Sequence, residues 1–414
     1  MKRVLVLFVG VLAFASALCA DSPPRSLTLA EALQLFRSGN PSLHAAQLHL
    51  EAIQAAEVTA GLRVNPLFTS ANQDFPVFNP SQFDLNTQEF TDSLAWTFER
   101  GGKRRARVES ARAATVVGRD SLADARRQLE FQLKTTFIGA LLAKSTLTLA
   151  EDNLREYRQV IEANRLRLQA GDISETEFDR IVVEEARFQT DLLNAQAALA
   201  QSRSALSALL GFAEPNAVEA QGALTAPEFT SSLQQLQEIA LRGRPDYIAA
   251  KDSQVKAAAD VKLARANGAT DVVVAPEYKR NGPENTLGVT FQVPLRIFDR
   301  NQGEKLRSAR ELEASRFAEV AARQQVIADV AQAWQAYQAA SARAQLYSHE
   351  YLQRAKNVRD RMQFSYEHGA ANLLDYLDAV RSYRDVELAA IGANAQVLSA
   401  IHQLSFATGT ELLP

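Results

Sequence analysis

Thirteen prolines fall so unevenly along this 414-residue chain that they constrain its architecture before any motif is read. None occurs in residues 81–214, and none in 295–413. A proline inside a helix removes a hydrogen bond, clashes with the preceding turn and costs about 3 kcal/mol. The two proline-free stretches are rich in Ala, Leu, Gln, Glu and Arg, so both are predicted to be long helices. Within the first, Phe178, Ile181, Glu185, Phe188, Leu192, Ala195, Leu199, Ser202, Leu206 and Leu209 recur at alternating spacings of three and four. That 3.5-residue period keeps one stripe facing a partner helix. Such helices must pack side by side.

The chain reads as two copies of one plan. Adding 198 to the stripe gives Tyr376, Ala379, Tyr383, Val386, Ala390, Ala393, Val397, Ala400, Leu404 and Ala407, all apolar or aromatic. The same shift carries Gly171 to Gly369 and Gly211 to Gly409. A register held over about a hundred residues predicts an internal repeat. With small shifts it extends back, from "LTLAEALQLFRSGNPSLHAAQ" to "SSLQQLQEIALRGRPDYIAAK". The expected division is a first repeat at 21–211, with a strand pair near 65–98 and long helices at 103–210. A connecting segment at 212–230 follows. The second repeat at 231–414 has a strand pair near 271–296 and long helices at 303–408.

The strands are read from period-2 alternation. Phe90, Leu94, Trp96 and Phe98 share one face, with Thr91, Ser93, Ala95 and Thr97 on the other. Leu287, Val289, Phe291, Val293 and Leu295 oppose Thr286, Gly288, Thr290 and Gln292. Their partners, "NPLFTSANQDF" and "DVVVAPEYK", are weaker, and Pro276 fits a strand poorly. Strands of about ten residues suit a membrane barrel, apolar toward lipid and polar toward water; a soluble half-buried sheet has the same period.

The amino terminus bears on that choice. Lys2 and Arg3, an apolar run and "ASALCADSPP" follow the order of an export leader. A leader of about 1–20 is expected, cut after Ala17, Cys19 or Ala20, with lipidation of Cys19 as the rival reading. A net charge of −3 leaves no global basic field, so no nucleic-acid partner is expected. No other stretch supplies about 20 consecutive apolar residues for a spanning helix. If the strands do enter lipid, four of them cannot close, and an open edge there leaves backbone groups unpaired. The strands must then join a shared barrel, and three copies give about twelve.

The twofold order of helix, helix, two strands and long helices resembles the TolC-like outer-membrane efflux family. "FERGGKRRARVESA" and "VPLRIFDRNQGEKLRSA" are most similar to its cobalt–zinc–cadmium resistance branch. The fold class implied is mainly α with β, a long helical coiled-coil barrel below a shared trimeric β-barrel of 12 strands. The resemblance implies a homotrimer that contacts outer-membrane lipid and docks on a periplasmic adaptor, and through it on an inner-membrane RND pump. Heavy-metal cations are the expected cargo; an organic-solute duct, or a structural trimeric envelope protein, are the alternatives. No enzyme activity and no cofactor are expected. The histidines, such as His44 and His49 five apart, lack metal-ligand spacing.

Three groups of residues are singled out. Gly101 and Gly102 allow the turn from strand to helix, and Lys103, Arg104 and Arg105 are expected as a membrane-proximal anchor. The hairpin turns Ala170-Gly171-Asp172 and His368-Gly369-Ala370 match the adaptor-docking tips that the family implies. Asp375 and Asp378 match its periplasmic entrance pair, with Glu177 and Tyr366 grouped beside them. The plainer reading of the acids is as solvated helix-start residues favoured by the dipole.

Overall fold

The apolar stripes fold as the 3.5-residue period requires. In the computed structural model every position named in the two stripes is buried or half-buried. The model describes residues 24–413 apart from 75–77, 79–80, 82–83, 85–86, 226–228 and 348. The expected leader and Cys19 lie outside the described residues.

After a short strand β1 (Arg25–Leu27), helices α1 (Leu29–Gly39) and α2 (Pro41–Gly61) lead into strands β2 (Leu67–Gln73) and β3 (Glu89–Phe98). Helix α3 (Lys103–Ala170) follows, 68 residues long, and α4 (Glu175–Leu209) returns against it. At about 1.5 Å per residue α3 is roughly 100 Å long. Strand β4 (Val218–Ala220) then opens the same series again. It comprises α5 (Leu233–Gly243), α6 (Pro245–Asn267), β5 (Val272–Asn281), β6 (Glu284–Gln292), α7 (Gln302–Leu346), α8 (His349–Glu367) and α9 (Leu373–Thr408).

Two features differ from the sequence reading. The counterpart of α3 is broken, with α7 ending at Leu346 and Tyr347 leaving helical geometry at φ −89°, ψ 21°. The stretch expected as a plain connector contributes β4, which pairs in parallel with β1. Val218 and Ala220 are buried with Phe36, Leu133, Phe137 and Leu206. No alternation announces a three-residue strand, because its ladder is too short to establish a period.

The remaining strands form one antiparallel sheet in the order β2-β3-β5-β6. Its register aligns the alternating faces across all four strands. Phe68, Leu94 and, through β5, Pro276 and Val289 lie on one row; Trp96, Val274 and Phe291 lie on the next. The opposite face carries Thr97, Val273 and Gln292 on one row and Ser93, Glu277 and Gly288 on another. Pro276 sits inside β5, and the β3–β5 ladder skips the pairs between Ser93↔Glu277 and Trp96↔Val274. A residue without an N–H leaves that gap in a ladder.

Candidate functional site

The sheet passes into α3 through two left-handed glycines, Gly101 at φ 69° and Gly102 at φ 72°. A Cβ on Gly101 would lie 2.4 Å from the Ala269 Cβ, so both backbone freedom and space demand glycine there. The basic run beyond it is largely held from within. Lys103 is buried, and its Nζ donates to Asp271 Oδ2 at 2.6 Å, while Asp271 Oδ1 accepts from the Arg100 N–H. Arg104 Nε donates to the Gly61 carbonyl at 2.6 Å, and Arg107 forms an ion pair with Glu99. Arg105 is exposed beside Arg104 and Arg112.

At the other end of α3 the two turns share one hydrogen-bond pattern. Gly171, at φ 80°, donates to the Leu168 carbonyl and Asp172 donates to that of Arg167. Gly369, at φ 70°, donates to Tyr366 and Ala370 donates to Ser365, each position displaced by the same 198 residues. This is the Schellman closure, which a left-handed glycine permits. No atom lies within 4 Å of a Cβ built on Gly171 or Gly369, so these glycines serve backbone geometry alone.

The helices leaving the turns start differently. Ser174 caps α4, and the Glu177 carboxylate reaches back to the Ser174 N–H at 3.1 Å, completing a capping box. Glu177, grouped with the entrance acids, is thus engaged locally, and "SETE" is the sequence sign of that engagement. In the second turn Asn372 caps α9 by accepting from the Asp375 N–H at 2.9 Å. The Asp375 carboxylate forms no return bond. Asp375 and Asp378 are exposed, three apart on the first turns of α9, with no hydrogen-bond or ion-pair partner for either carboxylate among the described residues.

Behind the turns lies an aromatic core joining the hairpin α3–α4 to the hairpin α8–α9. Leu154, Tyr157, Ile161, Ile181, Phe188, Tyr366, Leu373, Tyr376 and Leu377 form one buried cluster. Tyr366 stacks on Tyr376 at 5.4 Å and donates its hydroxyl to Asn164 Oδ1 at 2.9 Å. Burial pushes the Tyr366 and Tyr376 phenols above their usual range. Arg381 grips the buried Glu184 through two hydrogen bonds, at 2.8 and 2.6 Å, and holds its carboxyl below the usual range. Arg359 reaches Glu156 at 3.1 Å, and Arg384 reaches Asp191 at 3.2 Å. A cleft of about 330 Å³ remains between the hairpins, lined among others by Asn164, Arg167, Tyr366 and Tyr383. The sequence reading missed Asn164, Glu184 and Arg381, since no local spacing links residues roughly 200 positions apart.

The sequence pattern of the family described as "Outer membrane efflux protein" matches residues 32–212 and again 236–410. The chain belongs to that family. It is an efflux channel protein of the outer membrane. It is 28% identical to the cobalt-zinc-cadmium resistance protein CzcC of Cupriavidus metallidurans over 378 residues, covering 90% of this chain and 88% of that protein. The nickel and cobalt resistance protein CnrC of the same organism is 26% identical over 341 residues, 79% of each chain. The solved structure of CusC superposes with a TM-score of 0.77 at 19% identity, covering 92% of both chains, so the mainly helical fold is shared.

Proposed function

We propose that three copies of this efflux protein join their sheets into one twelve-stranded barrel and their helices into a duct below it, exporting divalent metal cations. The observation that carries this reading is the sheet. One face is apolar from the Phe68–Leu94 row to the Phe98–Val272 row, with Asp92 and Arg280 further along it, and the sheet's outer strands β2 and β6 have no further partner among the described residues. In lipid those edges need closure, and a second and third copy supply it without new elements. The near-repeat of element order and the matched turns support an internal twofold repeat.

In this reading Gly171 and Gly369 present docking tips to a periplasmic adaptor, which connects the duct to a proton-driven inner-membrane pump of the RND type. Asp375 and Asp378 ring the periplasmic entrance, where six carboxylates from three copies favour cations. Tyr366 tethers the entrance hairpins. Membrane lipid contacts the apolar sheet face. The metal cargo is supported by the resistance relatives CzcC and CnrC. The deciding experiment measures cellular Zn, Co, Cd, Ni and Cu in a deletion strain beside dye accumulation. Raised metal, restored by the intact gene and not by a strand-deleted one, is expected. Raised dye with normal metal reassigns the cargo to organic solutes.

A further inference from the structure

The two repeats leave the sheet in different ways. In the first, two glycines turn the chain and the neighbouring cations Lys103 and Arg107 are paired with Asp271 and Glu99. In the second, nine residues, 293–301, separate β6 from α7. They continue the alternation of the apolar face past the last paired residue, through Val293, Leu295 and Ile297. Leu295 is 80% exposed, Ile297 62% and Phe298 90%. Leu287, Val289 and Phe291, on the same face within β6, are exposed as well. Arg296 and Arg300 interrupt the apolar residues, with Asp299 beside the latter. Neither forms a direct ion pair among the described residues, in contrast to Lys103 and Arg107, although Asp271 feels the charge of Arg296.

We propose that segment 293–300 is an interfacial anchor, with Leu295, Ile297 and Phe298 seated at the headgroup–acyl boundary of the periplasmic leaflet and Arg296 and Arg300 on the phosphates of anionic phospholipids. Continuity with the apolar sheet face sets its depth. A chain that leaves the hydrocarbon at the end of β6 still carries apolar side chains where the bilayer changes from acyl to polar, and such residues with interspersed cations bind there. Guanidiniums without a direct carboxylate partner are drawn to an anionic surface. Lys103 and Arg107, already held by carboxylates, have less to give a headgroup, and the stretch 99–107 around the exposed Arg105 carries no large apolar side chain. The lipid contact is therefore asymmetric between the repeats. This proposal rests on the membrane placement of the sheet.

The test uses the full-length assembled protein in vesicles, with W96F and W334F removing both native tryptophans. F298W reports the anchor, and V289W reports the middle of β6. Quenching is measured with lipids labelled shallow or deep along the acyl chain, in phosphatidylglycerol-rich and in zwitterionic vesicles. V289W is expected to respond to the deep label, whereas F298W responds to the shallow one, with a blue-shifted emission. Adding R296Q and R300Q should abolish the extra shallow quenching of F298W that anionic lipid produces. If V289W is quenched and F298W is not, the segment lies in water or against a second copy, and the anchor is overturned while the barrel stands. If neither is quenched, the membrane placement fails and the anchor with it. If quenching of F298W ignores lipid charge, the role of the arginines is overturned.

Discussion

The Tyr366 hydroxyl donates to Asn164 Oδ1 at 2.9 Å, joining α8 to α3 inside the aromatic core behind the turns. Both residues are buried. Removing the hydroxyl leaves the Asn164 oxygen without its donor, and an unpaired buried acceptor costs about 1–3 kcal/mol. Y366F should therefore lower the melting temperature of the detergent-solubilised protein and raise open-channel events in planar bilayers. N164A should do the same. The double variant should lose less than the sum, because both changes delete one interaction. Additive losses would refute the tie.

The glycines separate into two kinds. G171A and G369A meet open space, so each carries only left-handed backbone strain, about 1–2 kcal/mol. Both variants should assemble, with a modest loss of thermal stability. G101A adds a collision with Ala269. It should reduce the yield of assembled protein in outer-membrane extracts far more than either tip variant does.

Asp120 on α3 faces Asp252 on α6, and its buried Oδ2 has no partner among the described residues other than that carboxyl. Burial, then the neighbouring carboxyl, raises the Asp120 pKa to about 6. A raised folded-state pKa means that the stabilising form is the protonated one. Its contribution is complete below the unfolded value of 3.8 and is lost as pH rises through about 6. D120N, uncharged at every pH, should be more stable than the wild type at pH 8 by about 1–2 kcal/mol after solvent screening, and no more stable near pH 3. Melting curves across that range check the sign.

Asp375 and Asp378 are exposed and without bonded partners among the described residues, so their replacement should cost folding little beyond the helix-dipole contribution. D375K with D378K should retain the assembled protein and shift single-channel selectivity away from cations. Unchanged selectivity returns both residues to the role of solvated helix-start acids.

What the sequence made legible follows from the range of the forces involved. The stripe from Phe178 to Leu209 and the alternation in β3 and β6 come from neighbours a few residues apart, and both appear where their periods place them, except that β6 ends at Gln292, short of Val293 and Leu295. The turn glycines were legible for the same reason. The β3–β5 pairing joins strands from opposite halves of the chain, and nothing local encodes its register. The grip of Arg381 on Glu184 spans 197 positions and was invisible on that account. The Glu177 capping box was legible in "SETE", whereas the resemblance to the efflux family grouped Glu177 with the entrance acids. Asp375 stands at the same helix position with a side chain one methylene shorter.

The edges β2 and β6, unpaired among the described residues, bear on how a cell makes this protein. If the sheet joins the shared barrel proposed above, a lone chain has no closed form that lipid can accept, and bilayer entry and subunit recognition then become a single event. Up to that event the chain must be kept apart from other exposed strands by something outside itself. In such a ring a defective copy that retains one sound edge would do more harm than a missing one, because it would be recruited and stall the copies already joined.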